Sequence, residues 1–249
     1  MGLSVVIITK NEAANISACL DAVRFADEIV VLDSGSTDRT REIAAEYGAR
    51  VEVNADWQGF GVQKNRALDL AGQDWILSLD ADEVVTPPLA AAIRAVVAGD
   101  GKHDAYEMSR LTWYCGKFLR HSGTNPDYVT RLFRRGMARF SDHLVHESLR
   151  PNGPVGRLDG SLEHYSFRDF SQVLKKIDDY SSASARQALE AGRSASLSKA
   201  VLRSLWMFFR TYILKRGFLD GGHGLANAIS AAHGTYYRYL KIWNGRAGS

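Results

Sequence analysis

One pattern repeats through the first hundred residues and limits the possible folds more than any other feature of the chain. Short apolar runs alternate with stretches of helical character. Ser4-Val-Val-Ile-Ile-Thr9, Glu28-Ile-Val-Val-Leu-Asp33 and Trp75-Ile-Leu-Ser-Leu79 are largely apolar without polar alternation, as strands buried on both faces are. A further short strand is expected at Arg50 to Asn54. Helices are expected over Glu12 to Val23, Thr37 to Tyr47, Val62 to Ala71 and Thr86 to Val97. Gly48 stops the second of these, and Pro87 and Pro88 sit in the first turn of the fourth. This order with short connections predicts an α/β fold with a mainly parallel sheet and helices on both faces. In such sheets ligands bind beyond the carboxyl ends of the strands. Three polar clusters fall there: Thr9-Lys10-Asn11-Glu12, Asp33-Ser34-Gly35-Ser36 and Asp80-Ala81-Asp82-Glu83.

From about residue 104 the character changes. Strand-like pieces at Ala105 to Tyr114, Tyr128 to Phe133 and Leu158 to Phe167 are separated by Gly, Pro and Asn. The last third reads as helical, over Phe170 to Ala191, Leu197 to Lys215 and Gly224 to Trp243, with breaks at Gly192 and at Gly217 to Gly224. No internal repeat or low-complexity linker intervenes. The expected organisation is a catalytic domain over 1–167 and a helical C-terminal extension over 168–249.

Cys19 and Cys115 are far apart and lack metal-ligand spacing, so two buried thiols in a reducing compartment are expected, not a disulfide or zinc site. The N-terminus enters an apolar strand without a basic region or cleavage site, so no signal peptide is expected. The run Leu205 to Phe209 is too short to span a bilayer. Residues 198–249 hold eight Lys or Arg and one acid, a net of +7, so the rest of the chain carries −4 of the total +3. A basic tail on an acidic body predicts a surface that meets something anionic.

Asp33 ends a buried strand and precedes the turn Ser34-Gly-Ser-Thr-Asp38. Its carboxylate there either accepts hydrogen bonds from a base or ribose, or caps the next helix. Asp80-Ala81-Asp82 places two carboxylates at i and i+2 beyond another buried strand. Hard divalent cations take such oxygens, and Mg²⁺ in particular takes one or two carboxylates plus substrate phosphates. A pyrophosphate leaving group needs that charge compensation.

Together, Ser4-Val-Val-Ile-Ile-Thr-Lys-Asn-Glu12, Ile29-Val-Val-Leu-Asp-Ser-Gly-Ser-Thr-Asp38 and Leu77-Ser-Leu-Asp-Ala-Asp-Glu83 resemble the family 2 glycosyltransferases of the Rossmann-like GT-A fold. Trp57-Gln-Gly-Phe-Gly-Val-Gln-Lys-Asn-Arg-Ala-Leu68 and Gly217-Phe-Leu-Asp-Gly221 resemble, more finely, the bacterial lipopolysaccharide core β-glucosyltransferase subgroup (the WaaE/KdtX type). The resemblance implies that Thr9, Asn11 and Glu12 line a nucleoside pocket and that Asp33 reads uracil. It also implies that Lys64 reaches the base or diphosphate, that Asp80 contacts the ribose or metal, and that Asp82 holds Mg²⁺ or Mn²⁺. A late histidine, here His164, is implied as a further metal ligand, a nitrogen donor better suited to Mn²⁺.

Direct displacement at an anomeric carbon needs a base for the acceptor hydroxyl. The family places an acid after the Asp-x-Asp, and the match here is His143-Leu-Val-His146-Glu147, which implies Glu147 as general base. His146 orients it or contacts the diphosphate. This sequence has His-Glu where the family more often has Glu-Asp. The implied reaction is an inverting transfer of a hexose, glucose by the subgroup resemblance, from a UDP-sugar to a lipid-linked saccharide of the lipopolysaccharide core type. The alternatives are a sugar transferase acting on polyprenyl phosphate and an inactive nucleotide-sugar binding protein. The glycine-rich phosphate loop of nucleotidyltransferases is absent after Thr9.

In the last third, Leu202, Leu205, Trp206, Phe209, Ile213 and Leu214 fall near helical spacing among Arg203, Arg210, Lys215 and Arg216. Tyr236, Tyr237, Tyr239 and Trp243 follow beside Arg238 and Lys241. Such a basic, aromatic stripe either lies on an anionic membrane or packs on the catalytic domain or a second subunit, as in a homo-oligomer. No nucleic-acid module accompanies it, so no nucleic acid is expected as partner. The expected location is the cytoplasm, with peripheral contact at the inner face of the cytoplasmic membrane.

Overall fold

A computed structural model describes residues 1–141 and 148–247. Its contacts divide into two compact units. The first comprises Met1–Arg110 and Asp127–His164; the second comprises Leu111–Pro126 and the chain from Tyr165 onward.

The chain order in the first part is β1 (Leu3–Thr9), α1 (Ile16–Ala22), β2 (Glu28–Asp33), α2 (Thr40–Glu46), β3 (Arg50–Val53), α3 (Phe60–Asp69), β4 (Trp75–Asp80), β5 (Glu83–Val85) and α4 (Pro87–Ala95). There follow β6 (Ala105–Tyr114), β7 (Lys117–Phe118), β8 (Tyr128–Arg134), β9 (Ala138–Phe140), β10 (Leu149–Pro151) and β11 (Val155–Phe167). The main sheet runs β3-β2-β1-β4-β8-β6-β11-β5, with β7 on β6. Its first four strands are parallel, as the βα repeat predicts. Beyond β4 the sheet is extended by antiparallel pairs, β4 with β8 and β8 with β6.

Successive residues of the parallel strands feed two cores. Val5, Ile7, Val31, Leu77 and Leu79 pack against Ile16 and Leu20 of α1, Ala44 of α2, and Leu89 and Ile93 of α4. Val6, Val30, Leu32 and Ile76 pack on the other face against Ala67 and Leu68 of α3. Both faces are therefore covered, which is why these strands read as near-continuous apolar runs.

Helix α1 starts four residues later than the sequence predicts. Asn11 has φ 56°, a left-handed conformation that ends the strand in a turn. The N–H groups of Asn11, Glu12 and Ala13 then donate to Ser36 Oγ, Thr40 Oγ1 and Asp38 Oδ2, at 2.8, 2.8 and 3.1 Å. These side chains from the β2–α2 turn compete with helix for the backbone. The two loops at the carboxyl ends of β1 and β2 are thereby joined.

In the second unit α5 (Phe170–Glu190), α6 (Leu197–Phe209) and α7 (Gly222–Ala247) follow one another. Asp169 caps α5 through Gln172 N–H and Ser196 caps α6 through Lys199 N–H, at 2.8 and 3.2 Å. A π-type turn over Arg210–Leu214 and a 3₁₀ turn over Gly217–Asp220 join α6 to α7. Asp220 is buried in this turn. It accepts from the N–H groups of Arg120 and His121, at 3.0 and 2.9 Å, and from His121 Nδ1 and Ser122 Oγ, at 3.2 and 3.3 Å. Burial would raise its pKa, but these hydrogen bonds outweigh it and hold the carboxyl below the usual carboxylate range.

Candidate functional site: a charged cluster at the strand ends

Asp80 ends β4 between two cations. Its Oδ1 lies 2.8 Å from Lys64 Nζ and its Oδ2 2.5 Å from Arg131 Nη2. Lys64 is no exposed helix lysine: it is 5% exposed, on the inward side of α3, and also sits over the Phe140 ring at 5.2 Å. Burial alone would raise the pKa of Asp80. The charges of Arg131 and Lys64 outweigh that and hold the carboxyl far below the carboxylate range. Asp80 is therefore ionised throughout the neutral range.

Glu83 completes this network from beneath. It is fully buried, 2.6 Å from Arg131 Nη2 and 3.5 Å from Arg110, and its Oε2 accepts the Asp80 N–H at 3.0 Å. Arg110 in turn bonds Asp127 through Nε and Nη2, at 2.9 and 2.8 Å. The Cys19 thiol lies 3.7 Å from the Asp80 carbonyl. Burial, then the charges of Glu83, Asp82 and Asp80, push its pKa well up, so it is a neutral packing group.

Arg131 is the member of this cluster that the sequence reading missed. In the β6–β8 ladder Tyr106 pairs with Leu132 and Glu107 with Thr130, which leaves Arg131 opposite no residue. It is the extra residue of a β-bulge, a device that redirects a side chain out of strand alternation. An arginine inside the apolar strand Tyr128–Arg134 was the available signal, but its aim depends on a non-local register.

Asp82 lies in the tight connection from β4 to β5, 3.2 Å from His164 Nε2. The meeting follows from register: β11 runs antiparallel to β5 with His164 opposite Glu83 and Leu162 opposite Val85. Gly160 permits this path. It has φ +94°, and a Cβ there would lie 2.5 Å from the Leu89 nitrogen. Two residues about eighty positions apart thus form an O/N pair beside Asp80. Among the described residues no three metal-ligand side chains form a ready cluster. The pair suits a cation that completes its shell with water and substrate oxygens.

Asp33 is fully buried. Its Oδ1 accepts from the N–H groups of Gly35 and Ser36, at 3.0 and 2.8 Å, and its Oδ2 from the Thr9 hydroxyl at 3.0 Å and from the Ser36 hydroxyl. Asn11 Oδ1 accepts the Thr37 N–H at 2.8 Å, and Glu12 accepts from Asn15 Nδ2 at 2.7 Å. Thr9, Asn11, Glu12 and Asp33 therefore belong to one hydrogen-bonded turn system at neighbouring strand ends. Glu147, His146 and His143 lie outside the described residues. Their flanks are fixed: Ser141 N–H donates to the Ser148 carbonyl at 3.0 Å, and Phe140, beneath Lys64, exchanges two hydrogen bonds with Asn65 of α3, at 3.0 and 2.9 Å.

An open α/β sheet with acids and compensating cations gathered at its strand ends is the arrangement expected of an α/β transferase, and sequence comparison identifies the family. Residues 4–147 match the glycosyl transferase family 2 model. The chain belongs to that family and is an enzyme of the glycosyltransferase class. It is 31% identical to an uncharacterised glycosyltransferase of Rickettsia felis over 96% of this chain and 89% of the relative. It is 30% identical to a lipopolysaccharide core biosynthesis glycosyltransferase, LpsC, of Rhizobium meliloti, over 98% of this chain and 93% of that one. A glucosyl-3-phosphoglycerate synthase of Mycobacterium tuberculosis, crystallised with Mn²⁺, UDP and glucosyl-3-phosphoglycerate, shares 26% identity over 45% of this chain and 44% of its own, with a TM-score of 0.36.

Proposed function

We propose that the enzyme transfers a hexose, with UDP-glucose as donor, to a lipid-linked saccharide acceptor of the lipopolysaccharide core type, with inversion and with Mg²⁺ or Mn²⁺. The observation that carries the donor half is the Asp82–His164 pair at 3.2 Å next to an Asp80 held by Lys64 and Arg131. Asp82 and His164 would hold the cation, which would supply charge compensation for the leaving diphosphate. Lys64 contacts the diphosphate from the other side, and Asp80 accepts from the ribose. Thr9, Asn11 and Glu12 wall the nucleoside pocket. Asp33 accepts the uracil N–H when the rotatable hydroxyl of Thr9 or Ser36 turns away.

Glu147 takes the acceptor proton as general base, and His146 orients it. What supports this is that the segment leaves and rejoins the fold at Ser141 and Ser148, which are hydrogen-bonded to each other at 3.0 Å, next to Phe140, whose ring lies 5.2 Å from Lys64 Nζ. The acceptor class rests on the match with the Rhizobium meliloti lipopolysaccharide core enzyme across nearly the full length of both chains, and on the subgroup motifs at Trp57–Leu68 and Gly217–Gly221.

The reading is tested by a thermal-shift screen of nucleotide sugars with Mg²⁺ or Mn²⁺, since a ligand that binds the native state raises its melting temperature. UDP-glucose plus Mn²⁺ is expected to stabilise the protein more than either alone. Release of UDP on adding lipopolysaccharide core acceptor is then expected. Equal stabilisation by purine and uridine nucleotide sugars would refute the donor assignment. Donor binding without transfer to any core or polyprenyl acceptor would leave a binding protein.

A further inference from the structure

The C-terminal hairpin carries its hydrophobic face outward. Helix α6 buries only Ala200. Leu202 is 66% exposed, Leu205 63% and Trp206 51%, with Val201 and Phe209 exposed beside them. At 100° per residue these five fall within an arc of about 140°. Lys199, Arg203 and Arg210, all exposed, fall within an adjoining arc of about 40°. Ser204, on the opposite side, donates to the Ala232 carbonyl of α7 at 3.0 Å. Ile213, Leu214, Phe218 and Leu219 in the connecting turns and Leu225 and Ile229 of α7 are exposed as well. Lys215 and Arg216 are exposed in the same turns.

An exposed apolar stripe of five large residues on one helix face marks an interaction site. Among the described residues no helix is long and apolar enough to cross a membrane. An amphipathic helix with large apolar and aromatic residues flanked by cations is the form that lies in a bilayer interface. Charge separates this partner from a second copy of the chain. The segment from residue 198 onward contains one acid, Asp220, and that carboxylate is buried and consumed by the 120–122 loop. A second copy of the same face offers nothing to neutralise the five cations, whereas anionic lipid headgroups do. We propose that the α6–α7 hairpin docks on an anionic lipid bilayer, with the Leu202–Leu205–Trp206–Phe209 stripe in the acyl boundary and Lys199, Arg203 and Arg210 against the headgroups. The proposal is independent of which donor or acceptor the enzyme uses.

The test is flotation of the full chain with vesicles of phosphatidylcholine alone or mixed with phosphatidylglycerol, at low and high salt. Binding is expected only to the mixed vesicles and is expected to weaken with salt, because each cation near an anionic surface strengthens adsorption about fivefold. Lys199→Gln/Arg203→Gln/Arg210→Gln should weaken it about a hundredfold by the same reckoning. Leu202→Ser/Leu205→Ser/Trp206→Ser, at positions more than half exposed, should abolish it while the melting temperature is unchanged. Absence of flotation at low salt overturns the proposal. So does flotation that survives the serine variant, which would mean adsorption without insertion. A concentration-dependent dimer abolished by the serine variant, with no vesicle binding, assigns the face to a second copy instead.

Discussion

Removing Arg131 tests the charged network at the strand ends. Arg131→Met keeps most of the side-chain volume but removes the guanidinium that lies 2.5 Å from Asp80 and 2.6 Å from Glu83. Glu83 is fully buried, so it cannot recover its hydration. Breaking a buried pair by deleting one partner costs about 3–5 kcal/mol. The lower end applies here, because Arg110 remains 3.5 Å from Glu83 and Lys64 remains 2.8 Å from Asp80. Urea unfolding of the full chain at neutral pH should show this loss as a lower midpoint at unchanged slope. A second substitution, Glu83→Gln, made in the Arg131→Met background, removes the stranded charge and should return part of the loss. The acid limb provides a further check. In the native protein the Asp80 pKa is depressed, so its stabilisation is present above its unfolded value of about 3.9 and is lost only as pH falls toward the lower folded value. Without Arg131 that depression shrinks, and acid unfolding should begin at higher pH. A loss under about 1 kcal/mol, or a double variant no more stable than the single one, would refute the reasoning.

Glu147→Gln should abolish transfer while leaving UDP-sugar binding intact, read by product formation and calorimetry; near-normal turnover would remove Glu147 as the base. Asp220→Ala strands the N–H groups of Arg120 and His121 and should cost about 1–3 kcal/mol for each buried donor left unsatisfied. Asp220 has a depressed folded pKa, so its contribution is present above about pH 4 and is lost as pH falls below that. The gap between Asp220→Ala and the native protein in urea should therefore narrow in acid, and a gap that widened would contradict the assignment.

How far the sequence carried the fold can be read from single elements. β2 and β6 have the bounds expected of them, Glu28–Asp33 and Ala105–Tyr114: the first because the sheet buries its apolar run Ile29–Leu32 on both faces, the second because β-branched and aromatic residues stand between glycine-marked breaks. The three helices of the second unit were legible from their apolar spacing and glycine breaks. The start of α1 was not, since it is set by Ser36, Asp38 and Thr40, some 25 residues away. At the site, the proximity of Thr9 to Asp33 followed from parallel neighbouring strands. The partnership of Asp82 with His164 and the aim of Arg131 depend on antiparallel register and on a bulge, which no local pattern encodes. The outward apolar face of α6 was visible as periodicity, but periodicity alone does not say which face is covered.

The central claim is that Asp82 and His164 hold the cation that the donor diphosphate needs. Calorimetric titration of UDP into the native protein and into Asp82→Ala, with and without Mn²⁺, tests it most directly. Mn²⁺ is expected to strengthen UDP binding to the native protein, and that gain is expected to vanish in Asp82→Ala while the melting temperature without ligand changes little. The same Mn²⁺-dependent gain in both proteins would contradict the account.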